Sequence, residues 1–273
     1  MSDDHDSPRS ASVSDCSAVS EPPRCDPEKI RAAFIDFYTF LTTLHYDKAD
    51  LKIPPPGGWP CLTPELCADY KPDETIQVLR NLPYFDRRSL LEFHYHSRLL
   101  DYTTFTRQDF EEATEDYEPE QEFWGFEGQI DPGHLFCIAE GSGYGGHHLF
   151  LNARDGEIIQ DTVGVNQESY PVEEYFDTLM KQYRNLELIP CPGRVTLEAS
   201  NVDKRDIVSL EEVCNQMEYW PTDLDIQYVR QLYRQHGWPG AFRKDEATKA
   251  IDDLMSVVKN SGGKCRTWES KTW

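Results

Sequence analysis

Residues 135–161 read LFCIAEGSGYGGHHLFLNARDGEIIQD, and their pattern decides the fold. Leu135 to Ala139 is an apolar run of the length of a buried strand. Gly141, Gly143, Gly145 and Gly146 then release the backbone from the limits a side chain imposes. His148 to Leu151 restarts the strand signal, and Asp155-Gly156 marks a tight hairpin turn. Glu157 to Asp161 supplies a third strand centred on Ile158 and Ile159. The order is strand, glycine loop, strand, turn, strand, so an antiparallel sheet is expected.

Gly141 to Gly146 also fits the letters of G-x-G-x-x-G, with Asp161 placed where a ribose-binding acid would follow. That fingerprint needs a helix opening at the third glycine, because the helix N-terminus holds the pyrophosphate. Here the chain from His147 reads as a strand that runs into Asp155-Gly156, which leaves no length for a helix. A glycine-rich bend between two strands is the better reading. No Gly-Lys-Ser/Thr follows, so a P-loop is excluded as well.

Working outward, Asp26-Pro27-Glu28 opens a helix, with Ile30, Phe34, Phe37, Leu41 and Leu44 on one face. A Pro/Gly connector reaches Trp59, read as a side chain pinning a loop. Asp73 leads a helix carrying Ile76 and Leu79 and stopped at Pro83. Residues 88–105 are ambiguous between helix and strand, although Leu91, Phe93 and Tyr95 alternate with polar neighbours. Beyond the sheet, helices are expected from Pro171 to about Leu186, around Ser209, through Ile226 to Tyr233, and from about Arg243. The fold class is therefore α+β: a mainly antiparallel central sheet, flanking helices and a helical C-terminal extension. The domain plan is a disordered acidic tail over residues 1–26, a helical part at 27–104, a sheet-and-helix core at 105–192, and an extension at 193–273 with a frayed end.

A formal charge of −22 over 273 residues disfavours nucleic acid and anionic membranes, because phosphates are repelled. No apolar run is long enough to span a bilayer, and the N-terminus lacks a secretory pattern, so an intracellular protein is expected. The eight cysteines form no C-x-x-C pair and read as reduced thiols without zinc-ligand spacing; no cofactor or metal is expected.

Two other sets of residues invite chemistry. His94 and His96 with Asp101 suggest a ligand pair on one strand face, or an acid–base group; His147 and His148 with Asp155 suggest another. An enzyme built on either is one alternative, and a metal or small-ligand sensor is another. An enzyme would be betrayed by a concave pocket where a histidine and a carboxylate converge with a shifted pKa. The acidic run includes Glu111, Glu112, Glu115 and Asp116, with no Lys or Arg between residues 109 and 122, and suits a basic protein partner.

The strand–Gly-Gly–strand–Asp-Gly–strand series of residues 135–161, followed by the helix VEEYFDTLMKQY at 172–183, resembles the SUKH superfamily core. That superfamily includes bacterial immunity proteins and fungal regulators of cell-wall assembly of the Knr/Smi type. The segments IPPPGGWPCLTPE, LRNLPYFD and YRQHGWPGAFRKDEA likewise resemble stretches of fungal proteins carrying such domains. The family's N-terminal leucine-proline element and Asn-Gly turn are not visible here. The resemblance implies a non-catalytic, regulatory interaction protein. Its working surface would be the loop of Gly141, Gly143, Tyr144, Gly145, Gly146, His147 and His148, with the acidic run nearby.

Overall fold

The computed structural model describes residues 24–67, 71–86, 92–115, 122–143, 145–162, 167–203, 205, 207–216, 218, 221–260 and 268. The tail at 1–23, Tyr144, Asp116 and most of the terminal stretch after Asn260 lie outside the described residues.

Helix α1 (Pro27–Thr42) starts as its sequence requires: the Asp26 carboxylate accepts the Glu28 N–H at 3.0 Å, and Pro27 occupies the first turn. Strand β1 (Leu51–Lys52), helices α2 (Pro64–Cys67) and α3 (Asp73–Asn81) and strand β2 (Tyr84–Phe85) follow, with β1 and β2 paired. Trp59 pins the connector by donating its indole N–H to the Leu82 carbonyl at 2.8 Å. The ambiguous stretch resolves into a hairpin, β3 (Glu92–His94) and β4 (Ser97–Leu99), turning at Tyr95-His96, where His96 has a φ of +50°. Helix α4 (Arg107–Glu115) and the small hairpin β5 (Trp124–Gly125) and β6 (Gly128–Gln129) lead into the main strands.

These are β7 (Leu135–Gly141), β8 (His147–Asn152), β9 (Glu157–Thr162) and β10 (Gln167–Pro171). Together with the β3–β4 hairpin they make a six-stranded sheet in the order β10-β9-β8-β7-β4-β3, antiparallel throughout. The expected α+β class with an antiparallel sheet is what the chain forms. The turn after β8 is wider than a two-residue primed hairpin, spanning Ala153 to Gly156. Gly156 closes it, donating to the Asn152 carbonyl at 2.9 Å with a φ of +72°. A side chain there would collide with the Cys25 sulfur.

Strand parity assigns the two faces. Leu149, Leu151 and Ile158 face the helices, where α1 and α5 (Val172–Asn185) pack on the sheet and the rings of Phe37 and Phe176 stack 4.5 Å apart. Phe150, Ile159, Leu135 and Cys137 face the other way and are covered by Phe123 and Ile130 beside the β5–β6 hairpin. Each such buried side chain contributes roughly 1.5–3 kcal/mol of transfer free energy.

After α5 come a short hairpin, β11 (Leu188–Ile189) and β12 (Leu197–Glu198), and helices α6 (Leu210–Asn215), α7 (Asp223–Gln235) and α8 (Lys244–Asn260). Ser209 and Thr222 form capping boxes at α6 and α7. Arg230 of α7, 1% exposed, ties this region to the sheet domain by donating to the carbonyls of Leu186, Ala199, Val202 and Asp203. The terminal stretch was expected to fray, yet Trp268 is buried and donates to the Val195 carbonyl at 3.1 Å. No helix among the described residues is long and apolar enough to cross a membrane.

Candidate functional site

The parity that buries Leu149 and Leu151 places His147, two residues earlier, on the same helix-facing side of β8. Thr162 lies directly across the ladder from it, and Gln160 lies across from Leu149. The end of the β3 strand brings His94 alongside, and β12 carries Glu198 up to both rings. Helix α5 closes the opposite wall with Tyr175, Thr178, Leu179 and Gln182, which recur at helical spacing. The result is a cleft of about 280 Å³.

Within it the two imidazoles meet edge to face, their centroids 4.3 Å apart. His147 Nδ1 lies 2.7 Å from the Thr162 hydroxyl and 3.2 Å from the Gln160 amide nitrogen. Gln160 is held in turn by the Tyr175 hydroxyl, which donates to its carbonyl oxygen at 3.1 Å. With Nδ1 accepting, His147 Nε2 carries the proton and donates to Glu198 Oε1 at 3.2 Å. His94 Nδ1 accepts the Tyr95 backbone N–H at 2.8 Å and stands 3.4 Å from the same Glu198 oxygen.

Burial pushes the His94 pKa down to about 3; His147 beside it adds to this and Glu198 opposes it. His94 is therefore neutral throughout the physiological range. Glu198 behaves oppositely. Burial raises its pKa, but the hydrogen bond from His147 and the fields of His94, His147 and His96 outweigh it, and the carboxyl titrates below its ordinary value. Its side chain remains 43% exposed, which leaves the carboxylate open to the cleft.

The residues singled out in the sequence are distributed differently from their chain neighbours. His94 and His96 do not share a face, because the hairpin turns between them: His94 enters the cleft, while the His96 ring lies 4.0 Å from Glu92. Asp101 is buried and paired instead with Lys52 Nζ at 2.6 Å. His148 points to the opposite side of β8 from His147, and Asp155 sits beyond the other end of the strand. In the glycine loop, Gly143 and Gly145 have φ of +67° and +79°. Gly146 does not take a positive φ; it is required because a Cβ there would lie 2.6 Å from the Ser142 backbone. Gly141 ends β7 against the His147–His148 backbone. Glu111 and Glu112 are exposed on α4 beside Arg107, which pairs with Glu111 at 3.4 Å. Glu115 is on the same helix.

No family model matches this chain, and neither a curated protein nor a solved structure matches it.

Sequence reasoning found His94 and His147 separately but not their meeting, and it gave no site role to Glu198, Gln160, Thr162 or Tyr175. Parity along β9 held the signal for two of these, because Gln160 and Thr162 follow Ile158 at a step of two, just as His147 precedes Leu149 and Leu151 on β8. Glu198 gave no local sign, since its strand is two residues long and its neighbourhood is unpatterned.

Proposed function

We propose that the protein is a non-catalytic interaction protein whose working site is this cleft, and that the cleft receives a basic side chain, arginine or lysine, from a partner protein. One observation carries the reading: among the described residues the cleft is lined by three carboxylates, Glu168, Glu187 and Glu198, and by no lysine or arginine. Its polar groups otherwise come from neutral amides, hydroxyls and imidazoles. Glu168 is held in place by the Tyr170 hydroxyl, and that hydrogen bond raises the Tyr170 pKa to about 12. The nearby guanidinium of Arg230 is committed to backbone carbonyls. A cationic group entering such a cleft meets fixed negative charge with little reorganisation, whereas an anion is repelled. The chain's net charge of −22 steers the same class of partner. The resemblance to SUKH-type interaction proteins supports binding rather than turnover.

The test is fluorescence anisotropy on the chelator-treated chain with two labelled peptides, one arginine-rich and one glutamate-rich. The arginine peptide is expected to bind, more weakly as salt rises, and to lose about tenfold in affinity, ~1.4 kcal/mol, in a Glu168→Gln/Glu187→Gln double variant. Equal binding of both peptides, or indifference to the double variant, overturns the reading. A second reading, an enzyme with an acid–base pair, is favoured by the His147–Glu198 hydrogen bond inside a concave site. It predicts turnover of a model ester that His147→Ala abolishes.

A further inference from the structure

The meeting of His94, His147 and Glu198 has a property that a basic partner leaves unexplained. His94 Nδ1 accepts the Tyr95 N–H and so carries a lone pair and no proton. It nevertheless approaches Glu198 Oε1 to 3.4 Å, which sets two electron-pair donors against each other with no hydrogen between them. His147 Nε2 reaches that same oxygen at 3.2 Å. Two imidazoles and a carboxylate thus converge from three separate elements, β3, β8 and β12. The His94–Glu198 approach is unfavourable unless something positive sits between the two donors.

We propose that His94, His147 and Glu198 form a binding site for a divalent transition-metal ion of the zinc class. One donor atom from each residue lies within 4.8 Å of the other two. In tetrahedral coordination with bonds of about 2.0–2.1 Å, neighbouring donors stand about 3.3 Å apart. The 3.2 and 3.4 Å separations already match two edges of that tetrahedron. Two nitrogens and one oxygen suit zinc, cobalt, nickel or copper over calcium or magnesium, which take oxygen donors.

The surroundings fit the same ion. A metal-bound histidine commonly donates its other N–H to a fixed neighbour. His147 Nδ1 has one such neighbour able to accept, the Thr162 hydroxyl at 2.7 Å. Metal binding at Nε2 moves the ring proton to Nδ1 and turns the Thr162 hydroxyl to accept it. At His94 the ion takes the lone pair now given to Tyr95 N–H, and that half-buried amide is left to water. Three protein donors leave a fourth position directed into the cleft, the arrangement of a centre that binds water or a ligand rather than of a closed structural site. This site is argued from donor geometry, so it survives or falls independently of the basic-partner reading.

The experiment loads the full chain, first stripped with chelator, with Zn²⁺ in equilibrium dialysis at neutral pH and, separately, with Co²⁺ read by its d–d absorption. Wild type is expected to take up one Zn²⁺ per chain and to show the intense bands of low-coordinate Co²⁺. Glu198→Gln, a substitution of a half-exposed side chain that keeps its shape, is expected to weaken uptake by at least about tenfold and to change the Co²⁺ spectrum. Glu211→Gln, at an exposed carboxylate on α6 that does not line the cleft, leaves both unchanged. His147→Ala serves as a further probe where near-ultraviolet circular dichroism shows it folded; Glu198→Gln decides the matter where it does not. No uptake by wild type overturns the proposal. Uptake that Glu198→Gln leaves intact also overturns it, because the ion is then held by surface carboxylates. Peptide binding by metal-free protein is scored apart from these results.

Discussion

The two ends of β8 both bury polar side chains, yet only one of them is a site. At the C-terminal end Asn152 is wholly buried and every one of its polar atoms is engaged. Its amide nitrogen donates to Asp155 at 2.9 Å and to Glu157 at 3.5 Å, and its oxygen accepts the N–H groups of Arg154 and Asp155. Glu157 is filled in turn by the Ser169 hydroxyl and the Phe126 N–H. At the N-terminal end His147 is buried too, but the network ends in Glu198, which faces His94 without a proton between them and opens onto a cleft. Around Asn152 the polar groups are spent on holding a turn, with Asp155 Oδ1 left only the Arg24 guanidinium at 3.6 Å; around His147 the donors face a cavity that can hold a ligand. Burial of polar groups does not separate structure from function here, whereas access to a cleft and convergence of donors from separate strands do.

The comparison is broken most directly at its saturated end. Asn152→Leu leaves the Arg154 and Asp155 N–H groups without their acceptor and takes the 2.9 Å donor from the Asp155 carboxylate, and is expected to cost about 2–4 kcal/mol in urea denaturation. Zn²⁺ uptake per folded chain should be unchanged. Loss of the ion in a folded Asn152→Leu protein would show that the two ends are one cooperative unit. Gly146→Val, at the loop next to the cleft, is expected to cost about 2 kcal/mol, because its Cβ falls 2.6 Å from the Ser142 backbone. A melting temperature equal to wild type would mean the loop shifts freely.

Much of the saturated end was legible beforehand. The β7–β8–β9 meander, the turn at Asp155-Gly156 and helix α5 follow from apolar runs, glycine placement and helical spacing that are local in the chain. The glycine loop was expected to be the working surface; within it Gly141 and Gly146 lie against neighbouring backbone, Gly143 stands in open space, and His147 turns inward. The cleft was legible only in halves. His94 and His147 are 53 residues apart and Glu198 a further 51, so no spacing rule joins them. What brings them together is β4 pairing with β7, and the β11–β12 hairpin held down by Arg230 through the carbonyl of Ala199, next to Glu198. Long-range strand pairing and a cation that bonds only backbone leave no periodic trace in the sequence.

A third buried histidine sharpens the contrast. His45 is 2% exposed among Tyr46 and Tyr183, neither ring nitrogen has a hydrogen-bond partner, and it borders no cleft described here. Burial pushes its pKa down to about 3, and the charge of Lys244 adds to this. The unfolded chain, with an ordinary value near 6.5, therefore binds a proton that the folded chain refuses. The stability His45 permits is complete above pH 6.5 and declines as pH falls toward 3, by up to about 1.4 kcal/mol per pH unit. Between pH 6.5 and 5, wild type should lose roughly 2 kcal/mol more than a His45→Phe variant in urea titrations. Equal losses in the two proteins would mean that water reaches the ring.

The smallest expected effect on stability belongs to the unsaturated end. Glu198 is 43% exposed, so its attraction to the histidines is screened, and Glu198→Gln should change unfolding free energy by less than about 1 kcal/mol. Thr162→Val replaces a hydroxyl with a methyl of similar size and removes the group facing His147 Nδ1, while Gln160 still holds the ring. Its expected stability cost is similarly small, with Zn²⁺ affinity falling about tenfold because the imidazole loses an acceptor for its second N–H. A pair of variants that barely moves the denaturation midpoint while reducing Zn²⁺ affinity would separate holding the fold from holding the ion. If both variants instead destabilised the chain as much as Asn152→Leu, the cleft end would be as structural as the turn, and the distinction between the two ends of β8 would fail.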